Sequence, residues 1–327
     1  MTAQFPAISV IVCSYNRAST LGPALASLTS QETRSEFSYE IVIIDDGSTD
    51  ETAMVVSQVA ARSSVPVRYV RDIGKGIAFA RNRGIREASG EWIAFFDDDQ
   101  IAEKGWLRGL FLAVRETGAQ IVGGVRLLQA TEGEMPRLGP QTREILGEKI
   151  YGPRMRPSNR YTLACTGNVL IHRNVFSRIG LFDTSMHRGM SDIDLTRRAH
   201  DAGIPSWYTP HAIVHHLIPP HRLRDHYVKW TSLRVGTNLA QINYKSWGAV
   251  GMLSLCLLRL GHALSINLLV DLYAYITANP VAKLERKCYR WIAEGFLRMS
   301  ICLLFPSAFH QDEFLESLAF RASSDSK

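Results

Sequence analysis

The sequence lacks the cysteine patterns of disulfide frameworks and structural zinc sites. Its five cysteines are scattered and odd in number, and no two of them form a Cys-x-x-Cys pair. Neither a disulfide-rich domain nor a zinc module is indicated. The N-terminal residues also lack a basic segment followed by a long apolar run, which predicts no signal peptide and a reducing, cytosolic compartment.

A strong charge imbalance is missing as well. The 327 residues carry a formal net charge of +6, and 46% of them are hydrophobic. This mild excess permits an anionic partner such as a nucleotide or an acidic membrane surface, and we expect no nucleic-acid partner. The apolar content suffices for a folded core, and disorder is expected only in the segment RASSDSK.

Two common nucleotide-binding motifs are absent or incomplete. The sequence contains no Gly-x-x-x-x-Gly-Lys-Ser/Thr motif, which excludes P-loop chemistry. GKGIAFA is close to the Gly-x-Gly-x-x-Gly motif of dinucleotide-binding dehydrogenases, but it follows the third predicted strand and lacks the final glycine. A dehydrogenase is therefore a weak alternative.

The first half of the sequence alternates between strand and helix patterns. Short β-branched runs predict buried strands, and the segments between them predict helices. This order indicates an α/β fold with a mostly parallel central sheet and helices on both faces. The predicted strands are ISVIVCSYN, YEIVIIDDGSTD, VPVRYVR and EWIAFF, and the helices run from about 18 to 30, 52 to 62 and 76 to 88.

The second half is less regular and then becomes helical. We expect strands at AQIVGGVRL and SWYTPHAIVHH, a strand, a turn and a short helix in TGNVLIHRNVFSRIGLFD, and a helix at SDIDLTRRAHDAG that stops at Gly203. The rest of residues 118–157 is expected to be loop. The pattern predicts one domain over residues 1–221, divisible near residue 100, and a helical region over residues 222–327.

Polar clusters follow three of the predicted strands at the point where each one ends, in CSYNR, DDGSTD and DDDQ. Ligands of parallel α/β sheets bind beyond the carboxyl ends of the strands, so these clusters are expected to share one crevice. Asp97 and Asp99 alternate along the chain and can face one side, where two carboxylates suit Mg²⁺ or Mn²⁺. The ion would offset their repulsion; an exposed acidic turn is the alternative.

Other candidates also have an ordinary structural alternative. DDGSTD can be a turn with a helix N-cap, or Asp45 or Asp46 can bond a nucleobase or ribose. Asp192, at a predicted helix start, can simply interact with the helix dipole. His215 and His216 end a strand and point to opposite faces, so at most one reaches the site. We favour His215 slightly over His216, and burial without a role is equally compatible with either.

Taken together, these motifs resemble those of the GT-A glycosyltransferases of family 2. The resemblance rests on ISVIVCSYNR, IVIIDDGSTD, GIAFARNRGIREASGEWIAFFDDD and GMSDIDL, and it covers about residues 8–216. It implies the GT-A nucleotide-diphospho-sugar transferase fold and an inverting transfer from a nucleotide sugar, with a UDP-sugar favoured, assisted by Mn²⁺ or Mg²⁺. Residues 1–100 would then form the nucleotide-sugar half and residues 101–221 the acceptor half.

The resemblance also assigns roles to individual residues. The metal-binding residues would be Asp97, Asp99 and His215. Asp192 would be the general base, in a motif where Ser191 replaces the family's usual Glu, and Asp194 would brace the helix. The nucleotide-binding residues would be Ser14, Tyr15, Asn16, Asp45, Asp46, Arg81, Asn82 and Asp98. On the acceptor side we expect Gly167, Asn168 and Trp207, although Trp207 can equally belong to the core.

Two alternatives share the predicted fold. A sugar nucleotidyltransferase normally carries a Gly-rich basic loop after its first strand, and CSYNRAST has none. A non-catalytic nucleotide-sugar-binding module is disfavoured by the presence of Asp97, Asp99 and Asp192 together.

The C-terminal region contains no uninterrupted apolar run that could cross a bilayer. Arg259, His262 and Asp271 interrupt the longest run, and WIAEGFLRMSICLLF is too short. We expect helices that lie on the inner face of the cell membrane, where a lipid-linked or glycan acceptor would be met, or that pack on the catalytic domain or a second subunit. The predicted apolar stripe is Leu253, Leu257, Leu260, Leu264 and Leu268, and the predicted headgroup aromatics are Trp247, Tyr273, Tyr275 and Trp291.

Overall fold

The protein folds into two compact units. The computed structural model describes residues 7–130, 138–159, 162, 164–185, 191–277 and 280–309, without the side chains of 263, 264 and 266–277. The first unit comprises Met1–Leu127 and Lys149–Leu217, and the second comprises Leu128–Glu148 and Ile218–Lys327. The segment 128–148, which lies within the expected acceptor half, is thus part of the same unit as the C-terminal helices.

The first unit is built on a sheet that has nine strands in the described part of the chain. They are β1 (Ile8–Ser14), β2 (Tyr39–Asp45), β3 (Val67–Arg71), β4 (Trp92–Asp97), β5 (Gln100–Ala102), β6 (Ile121–Ala130), β7 (Arg156–Pro157), β8 (Asn168–His172) and β9 (Ser206–Ile218). Their spatial order is β3-β2-β1-β4-β8-β6-β9-β5, with β7 paired to β9. Strands β1 to β4 pair in parallel, whereas β8 pairs antiparallel with β4 and β6, and β9 with β5 and β7.

Helices cover both faces of this sheet. They are α1 (Ala18–Thr29), α2 (Thr52–Arg62), α3 (Ile77–Glu87), α4 (Trp106–Thr117), α6 (Arg173–Ile179) and α7 (Ser191–Asp201), while α5 (Pro140–Ile145) belongs to the second unit. Because side chains alternate along a strand, Val10 and Val12 of β1 pack with α1, α2 and α4, and Ile11 packs with α3, α6 and α7. The predicted α/β fold class with its parallel central sheet is confirmed.

The sequence patterns missed four elements, one of which is the two-residue strand β7. The strand β5 and the helix α4 follow the acidic triplet directly, and α5 lies within the stretch that was expected to be loop. The strand β5 has only three residues, too few for a periodic signal. It nevertheless matters, because its antiparallel pairing with β9 decides which histidine of β9 lies near the acidic triplet.

The second unit is a close-packed helical pair, α8 (Asp225–Thr277) and α9 (Pro280–Leu304), with α5 against it. A Cβ atom on Gly236 would lie 2.0 Å from the carbonyl oxygen of Ile292, so the two helices touch at backbone distance. The α8 helix is broken at Gly248, where φ is 65°. A bilayer span requires about 20 consecutive, mostly apolar helical residues, and no such segment occurs among the described residues.

The apolar stripe predicted for α8 does not form a single buried face. Met252 and Cys256 are buried against α9, whereas Leu253 and Leu257 of the predicted stripe are exposed. Leu260 of the predicted stripe packs beside Met252 and Cys256, so the stripe is divided between an exposed part and a part in contact with α9. The side chains of Leu264, Leu268, Tyr273 and Tyr275, like the segment RASSDSK, lie outside the described residues.

Candidate active site

The carboxyl ends of three parallel strands meet at one edge of the sheet. Ser14 of β1 lies opposite Asp45 of β2, and Cys13 of β1 lies opposite Asp97 of β4. The polar clusters after these strands are therefore neighbours in space, at the place where open α/β sheets bind their ligands. Burial raises the pKa of the Cys13 thiol to about 12, so this cysteine is no thiolate nucleophile near neutral pH.

The turn after β1 presents an aromatic side chain. Asn16 adopts φ of 51°, and its backbone N–H donates to Oγ of Ser48 at 2.9 Å. Its side-chain oxygen accepts from the backbone N–H of Thr49 at 2.8 Å. Asn16 thus ties the ends of β1 and β2 together, and Tyr15 beside it is 56% exposed, which leaves its ring available to a planar partner.

The two aspartates after β2 differ in their surroundings. Asp45 is buried, accepts from the backbone N–H of Ser48 at 2.8 Å, and also bonds the Tyr69 hydroxyl. Asp46 accepts from the backbone N–H groups of Lys75 and Gly76 at 3.0 and 2.9 Å. Burial nevertheless raises the pKa of Asp46. Both carboxylates therefore accept hydrogen bonds that order the loops beside the end of β2. Asp46 is the less buried of the two and so the more accessible to a ligand.

The helix α3 contributes one of its two predicted residues to the site. Nη1 of Arg81 donates to the hydroxyl of Ser191 at 3.2 Å, at the start of α7. Asn82, which was expected to face the nucleotide, turns into the core instead. Its amide donates to the carbonyl oxygen of Phe182 and accepts from the backbone N–H of Phe182, both at 2.9 Å. Both amide groups of Asn82 are therefore engaged in joining α3 to the segment before α7.

The acidic triplet Asp97-Asp98-Asp99 lies directly beside this edge. Burial raises the pKa of Asp97, and the nearby charge of Asp99 raises it further. Burial likewise raises the pKa of Asp98 to about 7. Charged carboxylates so placed are unfavourable without a cation. Gln100 donates from Nε2 to Oδ2 of Asp97 at 3.3 Å, and its buried Oε1 atom has no hydrogen-bond partner among the described residues.

The two histidines at the end of β9 face different groups. Nε2 of His216 lies 3.5 Å from Oδ1 of Asp99. Nε2 of His215 lies 3.1 Å from Glu103 instead. The difference follows from the pairing of β5 with β9, in which Gln100 lies opposite His216. Of the two, the structure brings His216 rather than the favoured His215 to the acidic triplet.

The predicted acceptor-side residues occupy three different environments. A Cβ atom on Gly167 would lie 2.5 Å from Oδ2 of Asp97, so the backbone of Gly167 packs directly on the acidic triplet. Asn168 is buried, donating to the carbonyl oxygens of Val125 and Ala212 and accepting from Nε1 of Trp106. Trp207 packs against the core. The amide of Asn168 is thus engaged within the fold, whereas Gly167 lies at the site.

Asp192 occupies the second position of α7. Its Oδ1 atom accepts from the backbone N–H of Ile193 at 3.0 Å, and the hydroxyl of Thr166 lies 3.5 Å from its Oδ2 atom. Asp194 is different, because its Oδ2 atom pairs with Nε of Arg198 at 2.8 Å within the helix. Thr166 and Gly167 are consecutive, so one short segment contacts both Asp192 and Asp97.

Sequence reasoning missed Arg126. Nη1 of this β6 residue lies 3.7 Å from Oδ2 of Asp97. The available signal was a single cation in the otherwise apolar run IVGGVRLL. Such an arginine can equally point to solvent, so only the fold could reveal its position.

The residues of the triplet fit a divalent cation that is held together with a substrate. Among the described residues, no group of three His, Cys, Asp or Glu is arranged to hold a metal by itself. Mg²⁺-type ions are usually bound through one or two carboxylates together with phosphate oxygens and water. The carboxylates of Asp97 and Asp99 supply this kind of partial shell, and the unpartnered Oε1 of Gln100 adds a further oxygen beside it.

Comparison of the sequence with known protein families identifies one family. The model of the family described as Glycosyl transferase family 2 matches residues 9–180. The glycosyltransferase AglE of Haloferax volcanii is 30% identical over 204 residues, which cover 62% of this chain and 64% of AglE. The chain therefore matches less than two thirds of the length of this relative.

Two solved structures share the fold. The mannosyltransferase PcManGT of Pyrobaculum calidifontis, in complex with GDP-Man and Mn²⁺, matches with a TM-score of 0.57 and 15% identity, over 97% of this chain and 84% of PcManGT. GalNAc-T7 with UDP, GalNAc and Mn²⁺ matches with a TM-score of 0.53 and 17% identity, over 69% of this chain and 48% of that protein.

Proposed function

This chain belongs to glycosyl transferase family 2, and on that premise we propose that it transfers a sugar from a nucleoside-diphosphate sugar to a hydroxyl group with inversion at the anomeric carbon. One observation carries the proposal. The consecutive residues Thr166 and Gly167 contact Asp192 and Asp97, so a candidate base and a candidate metal ligand lie along one short segment. Direct displacement needs both groups around a single sugar.

The donor would lie along the edge formed by β2, β1 and β4. The exposed ring of Tyr15 would stack on the base, and Asp46 or Asp45 would bond the base or ribose. Asp97 and Asp99 would hold a Mn²⁺ or Mg²⁺ ion, which offsets the charge of the leaving diphosphate. His216, in place of His215, would face this group beside Asp99.

Asp192 would take the proton of the acceptor hydroxyl as the new bond forms. An alcohol is a poor nucleophile unless a base removes this proton, and a carboxylate can do so. Asp194 is already paired with Arg198, so its carboxylate is less suited to this task. The new glycosidic bond forms as the bond to the diphosphate breaks, and the negative charge leaves on the diphosphate oxygen.

The donor screen that tests this proposal uses UDP-, GDP- and dTDP-sugars with the full chain. We expect hydrolysis or transfer with a UDP-sugar in Mn²⁺ or Mg²⁺, and none in EDTA. Without the metal ion, the negative charge of the leaving diphosphate would face the negative charges of the two aspartates. A sugar nucleotidyltransferase would instead release pyrophosphate from a nucleoside triphosphate and a sugar phosphate. A binding module would retain the UDP-sugar unchanged, with or without metal.

We further propose that the acceptor is a glycan or lipid-linked molecule that is met at the inner surface of the cell membrane. In the part of α8 that follows the break at Gly248, the side chains of Val250, Leu257 and Leu258 are 77%, 70% and 68% exposed. Residues 218–309 contain eleven lysines and arginines but only four acidic residues. An exposed apolar helix face in a basic region is the combination that favours anionic lipid surfaces. A second copy of the chain is the alternative partner for this face.

Replacing Leu257 and Leu258 together by Asp is expected to reduce binding to anionic vesicles by at least about tenfold, because burying each leucine contributes ~1.5–3 kcal/mol. The folded state should tolerate the change, since both side chains are exposed. Co-sedimentation with phosphatidylglycerol vesicles measures the effect, and Met54→Asp, at an exposed position of α2, is the matched control. A wild-type chain that stays in the supernatant at low salt, or a dimer that the double variant dissociates, would contradict the membrane assignment.

A further inference from the structure

Arg126 is a largely buried cation to which the proposed chemistry assigns no role. Only 13% of its side chain is exposed, and its Nη1 atom lies 3.7 Å from Oδ2 of Asp97. Burying a guanidinium costs free energy unless opposite charges and hydrogen bonds offset that cost. A neutral side chain would fit the apolar strand β6 at lower cost, so the charge itself calls for an explanation.

The backbone of Arg126 is held by Lys149, and its guanidinium lies against Gly167. The backbone N–H of Arg126 donates to the carbonyl oxygen of Lys149 at 3.0 Å, and the N–H of Lys149 donates back at 2.9 Å. A Cβ atom on Gly167 would lie 2.7 Å from Nη1 of Arg126 and 2.5 Å from Oδ2 of Asp97. The backbone of Gly167 therefore closes over the contact between the two side chains.

The contacts to Asp97 are made on one oxygen. Both Nε2 of Gln100 and Nη1 of Arg126 approach Oδ2. Both of these contacts of Asp97 with described residues are to Oδ2 rather than Oδ1, and 35% of the Asp97 side chain is exposed. One oxygen is thus held by the protein, and the other is available to a ligand.

Arg126 is charged, because a guanidinium is not deprotonated in proteins. Several acidic groups lie near it. These groups are Cys165, Asp97, Asp192 and Asp99. The cation therefore lies among the candidate metal ligands and the candidate base together.

Resting on the proposed function, we propose that Arg126 is a positioning residue that holds Oδ2 of Asp97, leaves Oδ1 for the metal, and acts as a fixed internal cation of the donor site. Gln100 also donates to this oxygen, so Oδ2 of Asp97 is expected to stay in place when the charge of Arg126 is removed. The positive charge of Arg126 repels the incoming divalent ion. Arg126 thereby sets how much metal the enzyme needs, a property that the sequence motifs do not specify.

The test is a calorimetric titration of the full chain with Mn²⁺ at saturating UDP. Arg126→Gln is expected to bind Mn²⁺ about tenfold more tightly, because a unit charge near the ion is removed; this corresponds to ~1.4 kcal/mol. Arg126→Lys keeps the charge and should stay within about threefold of wild type. A merely structural arginine predicts the opposite sign, since loosening Asp97 would weaken metal binding.

Arg108→Gln is the matched control, because Arg108 forms an ion pair with Glu36 at 2.6 Å, outside the site. Its Mn²⁺ affinity should equal that of wild type. An unchanged or weaker affinity in folded Arg126→Gln would overturn the role of Arg126. If Arg126→Gln does not fold, Arg126→Lys is the deciding variant. Affinity within about threefold of wild type supports the role of Arg126, and markedly tighter binding, with the charge retained, would overturn it. A wild-type chain that binds no metal, with or without UDP, would overturn the proposed function as well.

Discussion

Asp192→Asn is expected to lower kcat by about 10²–10⁴-fold, the usual contribution of a general base, while the affinity for the donor stays close to that of wild type. The amide has nearly the same shape, and its oxygen can still accept from the backbone N–H of Ile193, as Oδ1 does in the native protein. It cannot take the proton of the acceptor hydroxyl. The measurement is the rate of sugar transfer, together with calorimetric binding of the UDP-sugar.

Asp194→Asn is the matched control for this prediction, with the same chemical change two residues further along the same helix. Asp194 is paired with Arg198, so its loss should affect stability slightly and kcat by no more than a few-fold. If Asp194→Asn proves the more damaging variant, or if Asp192→Asn turns over at a rate near that of wild type, the base is not Asp192. Tighter or weaker donor binding alone would not distinguish the two carboxylates.

The sequence was sufficient for those parts of the site that follow a strong strand pattern. Runs such as YEIVIID can only be buried strands in an α/β chain, and the polar residues that follow must lie at the ligand-binding edge. The register of β1 with β2 and β4 brings Ser14, Asp45 and Asp97 together, as those patterns predicted.

Other parts depended on packing that no local pattern encodes. The position of His216 beside Asp99 follows from the pairing of β9 with the three-residue strand β5. Asn82 and Asn168 carry polar groups that could face a ligand or satisfy buried backbone groups, and only the folded chain shows that they do the latter. Arg126 is the opposite case, a charge in an apolar strand that turns out to lie at the site.

Asp97→Asn is expected to abolish the metal-dependent part of UDP binding. Substituting residues that only hydrogen-bond to a metal ligand typically lowers metal affinity 10–100-fold, so losing a ligand itself should cost at least about 10²-fold. The amide oxygen is a weaker ligand than a carboxylate and carries no charge to attract the ion. Calorimetry with UDP in Mn²⁺ and in EDTA measures the effect, and we expect the two affinities of the variant to be equal.

The same substitution should change the melting temperature little, because it removes both the charge of a buried carboxylate and the ion pair that this carboxylate forms with Arg126. Burial and the charge of Asp99 raise the pKa of Asp97, so above its unfolded pKa the ionised carboxylate costs stability that a neutral amide does not. Asp98→Asn is the control, because it leaves both outer carboxylates in place and should keep the difference between Mn²⁺ and EDTA. Loss of that difference in Asp98→Asn but not in Asp97→Asn would move the metal to the middle aspartate. A folded Asp97→Asn variant that binds UDP as wild type does, in either buffer, would remove the metal from this cluster altogether.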